Sequence, residues 1–208
     1  MDAQEKWDRL GEQDQQQLLD THRWDAPFQD WYECIFEVFK EQMDAIGIHV
    51  ERCYFSGFGS QGDGACFSGW VSWPLFISAF GRPDLASFVR EHESALHLGW
   101  NQSGRYCHEN CVSFTDELDI ENPYDEDEAP LRHEAWNILH ATSGPIAPLL
   151  DDFKEYLRGR MRGLYRGLED EHDWLTSDKN TLDYILENHE DQIDHLLKEA
   201  EENNAETT

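Results

Sequence analysis

Hydrophobic spacing along this chain alternates between helical and strand-like periods. From Gln4 to Thr21 the sequence is polar and Gln-rich, with Trp7, Leu10, Leu18 and Leu19 as its apolar anchors, which predicts a helix. Asp25 and Pro27 then open a stronger pattern. Phe28, Trp31, Tyr32, Ile35, Phe36, Phe39, Met43 and Ile46 recur at helical spacing, and Gly47 suits the position just beyond a helix end. This stretch predicts the main core helix.

The period then changes. Ile48 to Phe58, with Val50, Cys53, Tyr54 and Phe55, predicts a strand. Gly59 to Gly64 predicts the turn, and Ala65 to Ser72 a returning strand that carries Phe67, Trp70 and Val71. Asp63-Gly64 is a hairpin signal because both residues tolerate positive φ. Pro74 to Phe80 and Pro83 to Glu93 predict short helices with proline near the start. A second hairpin is expected from Leu96, Leu98 and Trp100, a turn at Asn101 to Gly104, and the alternation of Tyr106, His108, Asn110, Val112 and Phe114.

Asp116 to Pro130 holds Glu121, Asp125, Glu126, Asp127 and Glu128 with two prolines, and predicts a loop. Leu131 to His140 predicts a helix, which Gly144-Pro145 and Pro148 break. A long amphipathic helix follows from Leu149 to His172, with Phe153, Leu157, Met161, Leu164 and Leu168 inward. Thr176 or Ser177 caps a last helix, from Asp178 to Asn203, whose apolar side is Leu182, Ile185, Leu186, Ile193, Leu196 and Leu197. The fold class is therefore α+β: a four-stranded antiparallel sheet from two β-hairpins packed against helices, with a helical acidic C-terminal region. Residues 1–175 are expected to form the core domain, and residues 176–208 an acidic helix and tail packed on it.

Charge changes the picture most. The 208 residues carry 44 Asp and Glu against 16 Lys and Arg, a formal net charge of −28. Such an excess repels phosphate backbones and anionic membranes, which argues against direct nucleic-acid or membrane binding. The 8 Trp, 7 Tyr and 11 Phe supply enough apolar surface for a packed core, so global disorder is rejected. Met1 to Arg23 is polar, no apolar run reaches transmembrane length, and the 5 Cys are an odd, scattered set. Together these predict a cytoplasmic protein with reduced thiols.

Three segments carry a family resemblance. They are Phe55-Ser56-Gly57-Phe58-Gly59-Ser60-Gln61-Gly62-Asp63-Gly64-Ala65-Cys66-Phe67, then Tyr106-Cys107-His108-Glu109-Asn110, and Leu168 to Asp178 with Trp174-Leu175-Thr176-Ser177-Asp178 at its end. Over residues 48 to 187 the chain resembles a family of small phage and prophage proteins with a Ser-Gln-Gly-Asp-Gly-Ala hairpin and a Tyr-x-His strand, many of them labelled antitoxins of toxin–antitoxin stability systems. The resemblance implies phage origin and an α+β fold. It brings no catalytic residues.

Candidate chemistry is sparse. Gln61 and Asp63 could project from the hairpin tip toward a partner, although turn chemistry alone accounts for Asp63. His97, Cys107, His108, Glu109 and Cys111 are close in sequence, but on an extended strand Cys107 and Cys111 would sit roughly 13 Å apart at about 3.3 Å per residue, too far to share one ion. No metal or other cofactor is expected. A Cys66–His108 pair lacks the electropositive setting that a reactive thiolate needs.

The charge pattern is more informative. Glu169 to Thr208 holds fourteen Asp or Glu and two Lys. Asp183, Glu187, Glu190, Asp191 and Asp194 follow helical spacing, which would lay carboxylates about 5–6 Å apart along one ridge, near the interval between phosphates. Lys154, Arg158, Arg162 and Arg166 form a secondary basic stripe, fitted to an acidic partner, to a second copy of the chain or to the acidic last helix. The combined expectation is a non-enzymatic phage-type inhibitor that blocks a basic nucleic-acid-handling host protein, such as a restriction or CRISPR component, by nucleic-acid mimicry. The alternatives are an antitoxin neutralising a cognate toxin and, from another class, a small hydrolase using His108 with Cys66, Asp63 or Glu109.

Overall fold

The computed structural model describes residues 2–25, 27, 30–80, 83–91, 98–115 and 146–206. His97, the acidic stretch Glu121 to Glu128 and the expected helix Leu131 to His140 lie outside the described residues. The fold is α+β, with eight helices and one four-stranded antiparallel sheet among the described residues. The helices are α1 (Ala3–Trp7), α2 (Glu12–His22), α3 (Glu33–Asp44), α4 (Trp73–Ala79), α5 (Pro83–Glu91), α6 (Ile146–Leu175), α7 (Asp178–Asn188) and α8 (Glu190–Glu206). The strands are β1 (Ile48–Ser56), β2 (Gly64–Val71), β3 (Gly99–Gln102) and β4 (Val112–Thr115), paired in the order β1-β2-β3-β4. None of the helices described is long and apolar enough to cross a membrane. The chain divides into two compact units, Tyr32–Leu168 and a second built from Met1–Trp31 with Glu169–Thr208.

In the first unit the sheet is built around β2, which is buried at every residue except Trp70. Phe67 of β2 meets Phe39 of α3 and Trp100 of β3, with ring centroids 5.2 and 5.8 Å apart. Phe153 of α6 sits against Trp73, Phe76 and Trp100, which ties the sheet to α4 and α6. Aromatic contacts of this kind combine a large buried area with favourable edge-to-face geometry. On the other sheet face, Trp70 stacks on His49, its direct cross-strand partner, at 3.9 Å. Register slips between Val50 and Arg52, so Glu51 forms a bulge. Gly47 ends the α3 turn at φ +80°, the left-handed conformation that its place beyond the helix anticipates.

Four elements depart from the sequence expectation in this unit. The core helix starts at Glu33 rather than near Pro27, because Asp30 to Tyr32 form turns that bring Tyr32 and Phe36 onto Phe55. The strand before Trp100 is short, starting at Gly99. Helix α6 starts at Ile146, with Pro148 in its first turn, where a missing N–H costs no hydrogen bond. The expected strand Tyr106 to Asn110 is not a strand. The Cys111 N–H donates to the His108 carbonyl at 2.8 Å and the Asn110 N–H to His108 Nδ1 at 3.2 Å, so the segment turns before β4 begins.

Among its described residues the second unit has only helices and the turns that join them. The single helix expected from Gln4 to Thr21 is two, separated by a turn in which the Arg9 and Leu10 amides donate to Lys6 and Trp7. The last helix is likewise two, broken at His189 with φ −134° and ψ 30°. The paired breaks have one cause. They let α7 pack on α2 and α8 on α1, gathering Trp7, Leu10, Leu18, Ile185 and Ile193 into one core.

Candidate functional site

The glycine-rich hairpin tip and the Tyr106 to Asn110 segment frame a cleft in the sheet unit. Its hairpin tip needs glycine for reasons beyond the turn. A Cβ on Gly62, which sits at φ +97°, would lie 2.9 Å from the Tyr106 ring. A Cβ on Gly64 would lie 3.0 Å from His108 Cα and 3.2 Å from the Cys107 carbonyl. The Tyr106-Cys107-His108 segment therefore rests directly on the tip, and the two halves of the motif are packing partners. Asp63 Oδ2 accepts from the Ser60 amide at 2.6 Å, so this carboxylate is turned back into the loop. Gln61 is exposed.

Behind the tip is a cleft of about 210 Å³, lined by Asp63, Gly64, His108, Glu109, Arg162, Tyr165 and Arg166. His108 Nδ1 accepts from the Asn110 amide, and its Nε2 lies 3.1 Å from Glu109 Oε2. Glu109, whose side chain is only 14% exposed, is held between that imidazole and Arg162 Nη1 at 3.6 Å. Arg162 also donates to Glu155 at 2.8 Å; these bonds raise its already high pKa, and Arg162 in turn lowers that of Glu155. Arg166 makes no ion pair among the described residues. Three of the four stripe residues are thus engaged within their own unit: Lys154 and Arg158 lie over the Phe114 ring at 5.2 and 6.0 Å, and Arg162 binds carboxylates.

The structure separates Cys66 from this chemistry. It is fully buried (0% exposed), and burial first, then the neighbouring Cys107 and Cys111, push its thiol up to about 12. Burial likewise pushes Cys53 up to about 11. A thiol so strongly protonated at neutral pH is a small hydrophobe and no nucleophile.

The five carboxylates expected on one ridge stand on two helices. Asp183 and Glu187 are on α7, and Glu190, Asp191 and Asp194 on α8, with the His189 break between them. All five are exposed. Lys6 spans Glu190 and Asp194 at 2.7 Å each, and hydrogen bonds to these two carboxylates raise its pKa. Asp183, Glu187 and Asp191 make no ion pair among the described residues. The same unit displays two large apolar side chains, Trp24 at 64% and Trp174 at 57% exposed. The motif around Trp174 is a helix corner: Ser177 caps α7 by accepting from the Asn180 amide, and Arg23 reaches both the Thr176 carbonyl and Asp178 at 2.7 Å.

Residue spacing gave no sign of one further group. His22, Asp25 and His189 each place a donor atom within 4.8 Å of the other two, although His22 and His189 are far apart in sequence. Only the packing of α2 on α7 brings them together.

The sheet-unit account makes a direct thiol prediction. With Ellman's reagent at pH 8, exposed Cys34 should react at once and Cys66 only on unfolding. Because Cys66 ionises far above a free thiol, lowering the pH cannot expose it and raising it to 9 should add little. Rapid native-state labelling of Cys66 would contradict its burial.

No curated protein and no solved structure shows significant similarity to the chain. A family described as a domain of unknown function, DUF8835, matches residues 31–178, which take in the sheet unit and the Trp174 corner. The chain belongs to this DUF8835 family.

Proposed function

We propose that this protein is an acidic inhibitor that binds a basic, nucleic-acid-handling protein and occupies the surface that normally holds phosphates. One observation carries the reading: charge is concentrated on the helical unit. Its 71 residues carry 22 Asp and Glu against 5 Lys and Arg, a net of −17 out of −28 for the whole chain. Three exposed carboxylates without an ion pair among the described residues and two exposed tryptophans on that unit supply long-range attraction and apolar anchors for a protein partner. The resemblance to phage and prophage proteins supports a host target, and an antitoxin acting on one cognate toxin is the same mechanism with a narrower partner.

The test compares the wild-type chain with a variant carrying Asp183→Asn, Glu187→Gln and Asp191→Asn. Captured from host extract, the wild-type partner should be a nucleic-acid-binding protein, released by added DNA or RNA, and the variant should bind it at least about tenfold more weakly. Equal binding by the variant, or capture indifferent to nucleic acid, would count against mimicry.

A second reading rests on the cleft. A small hydrolase without Cys66 would use the His108, Glu109 and Arg162 gathered there, with the Asn110 amide first releasing His108 Nδ1 so that this nitrogen could act as a base. Hydrolysis of a panel of ester and phosphoester substrates that disappears in His108→Ala would support it; no turnover on any of them would remove it.

A further inference from the structure

Trp24 and Trp174 are the most exposed large apolar side chains among the described residues, and both stand on one corner of the helical unit. Trp24 follows the end of α2, and its ring rests against His172 of α6 with centroids 5.6 Å apart and planes tilted by 39°. Trp31 meets the same imidazole at 5.9 Å and 51°. Arg23 ties the two segments together, donating to the Thr176 carbonyl and to Asp178 at 2.7 Å each. The Trp24 ring is thus held on one side by His172, and most of its surface faces solvent. Trp174 lies two residues beyond His172, and its carbonyl accepts from the Ser177 amide at 3.2 Å and from the Ser177 hydroxyl at 2.7 Å.

Each exposed indole has a carboxylate beside it in the chain, Asp25 after Trp24 and Asp173 before Trp174. Asp25 lies 2.8 Å from His22 Nδ1 and Asp173 3.7 Å from His172 Nδ1, and neither meets a Lys or Arg among the described residues. Their side chains are 51% and 76% exposed. The corner also closes the C-terminal end of the 30-residue α6, the negative pole of that helix. Indole faces, carboxylates and a helix C-terminus all favour a cation. A wholly apolar partner surface would desolvate Asp25 and Asp173 with nothing to pair them, so it is the poorer fit. Of the two common cations, the guanidinium suits the corner better. It is planar, stacks on an aromatic face and still donates in its own plane to a carboxylate, whereas an ammonium is a compact, strongly hydrated point charge.

We propose that the Trp24–Trp174 corner binds arginine side chains of a protein partner, each guanidinium stacked on an indole and paired with the neighbouring Asp25 or Asp173. Arg23 does not occupy this place, because its guanidinium is used on Asp20, Asp178 and the Thr176 carbonyl. The inference rests on the inhibitor reading only in taking the partner to be basic. It uses none of Asp183, Glu187 and Asp191, and it adds a short-range preference for arginine to their long-range attraction.

The test titrates the full chain, ¹⁵N-labelled on tryptophan, with end-capped hexa-arginine and hexa-lysine peptides in about 0.15 M NaCl, which screens charges more than about 8 Å apart. Hexa-arginine should bind at least about fivefold more tightly than hexa-lysine of the same charge. The indole N–H signals that it shifts most should be the two that vanish in Trp24→Leu and Trp174→Leu. Trp24→Leu should remove most of the preference, and Trp24→Phe, which keeps an aromatic face, should restore part of it. The Asp183→Asn, Glu187→Gln, Asp191→Asn variant should weaken both peptides alike and keep the preference. The two readings therefore fail separately: capture indifferent to nucleic acid would leave the arginine preference standing, and loss of that preference would leave salt-screened capture standing. The wild-type comparison of the two peptides decides the matter even if a tryptophan variant fails to fold. Equal binding of the peptides, shifts confined to other indoles, or an undiminished preference in folded Trp24→Leu would overturn the assignment.

Discussion

Carboxylate repulsion is the constraint under which the helical unit has to fold. A net of −17 over 71 residues opposes compaction. What resists it is a small apolar core in which Trp7, Leu10, Leu18, Ile185 and Ile193 are brought together by two helix breaks. The ion pairs add little energy individually, because exposed pairs of this kind are worth about 0–1 kcal/mol. Their effect is on which charges remain available. Lys6 takes Glu190 and Asp194, and Arg23 takes Asp178 and Asp20. Asp183, Glu187 and Asp191 are left facing solvent.

The sheet unit is organised by contact rather than charge. Gly62 and Gly64 admit Tyr106 and His108 against the hairpin tip, and no residue with a Cβ could sit at either position without moving that segment. This gives the Ser-Gln-Gly-Asp-Gly-Ala and Tyr-x-His pieces of the motif a common physical origin. They are two sides of one packed junction, with the His108–Glu109–Arg162 cluster behind it. The aromatic run through Phe39, Phe67, Trp100 and Phe153 then holds the junction on a rigid sheet.

Much of this was legible in residue order. The first hairpin, the Gly47 turn, the inward face of α6 and the Ser177 cap follow from local periodicity and turn chemistry, which act over a few residues. The breaks at Asp8–Gly11 and at His189 did not, because each is required by packing between segments at opposite ends of the chain. His189 interrupts a pattern whose carboxylates keep helical spacing across it, so the expected ridge of five divides between α7 and α8. Tyr106 to Asn110 alternates like a strand, yet its side chains are used on the glycines of the tip. The His22–Asp25–His189 group was invisible for the same reason: its spacing follows no local motif, and only the tertiary fold assembles it.

If exposed carboxylates act as stand-ins for phosphate, attraction to the partner has to be screened by salt. The most direct measurement is the dissociation constant for the captured partner between 50 and 200 mM NaCl. The account predicts a linear rise of log Kd with log salt amounting to about tenfold or more. A dissociation constant that stays level across that range would contradict it.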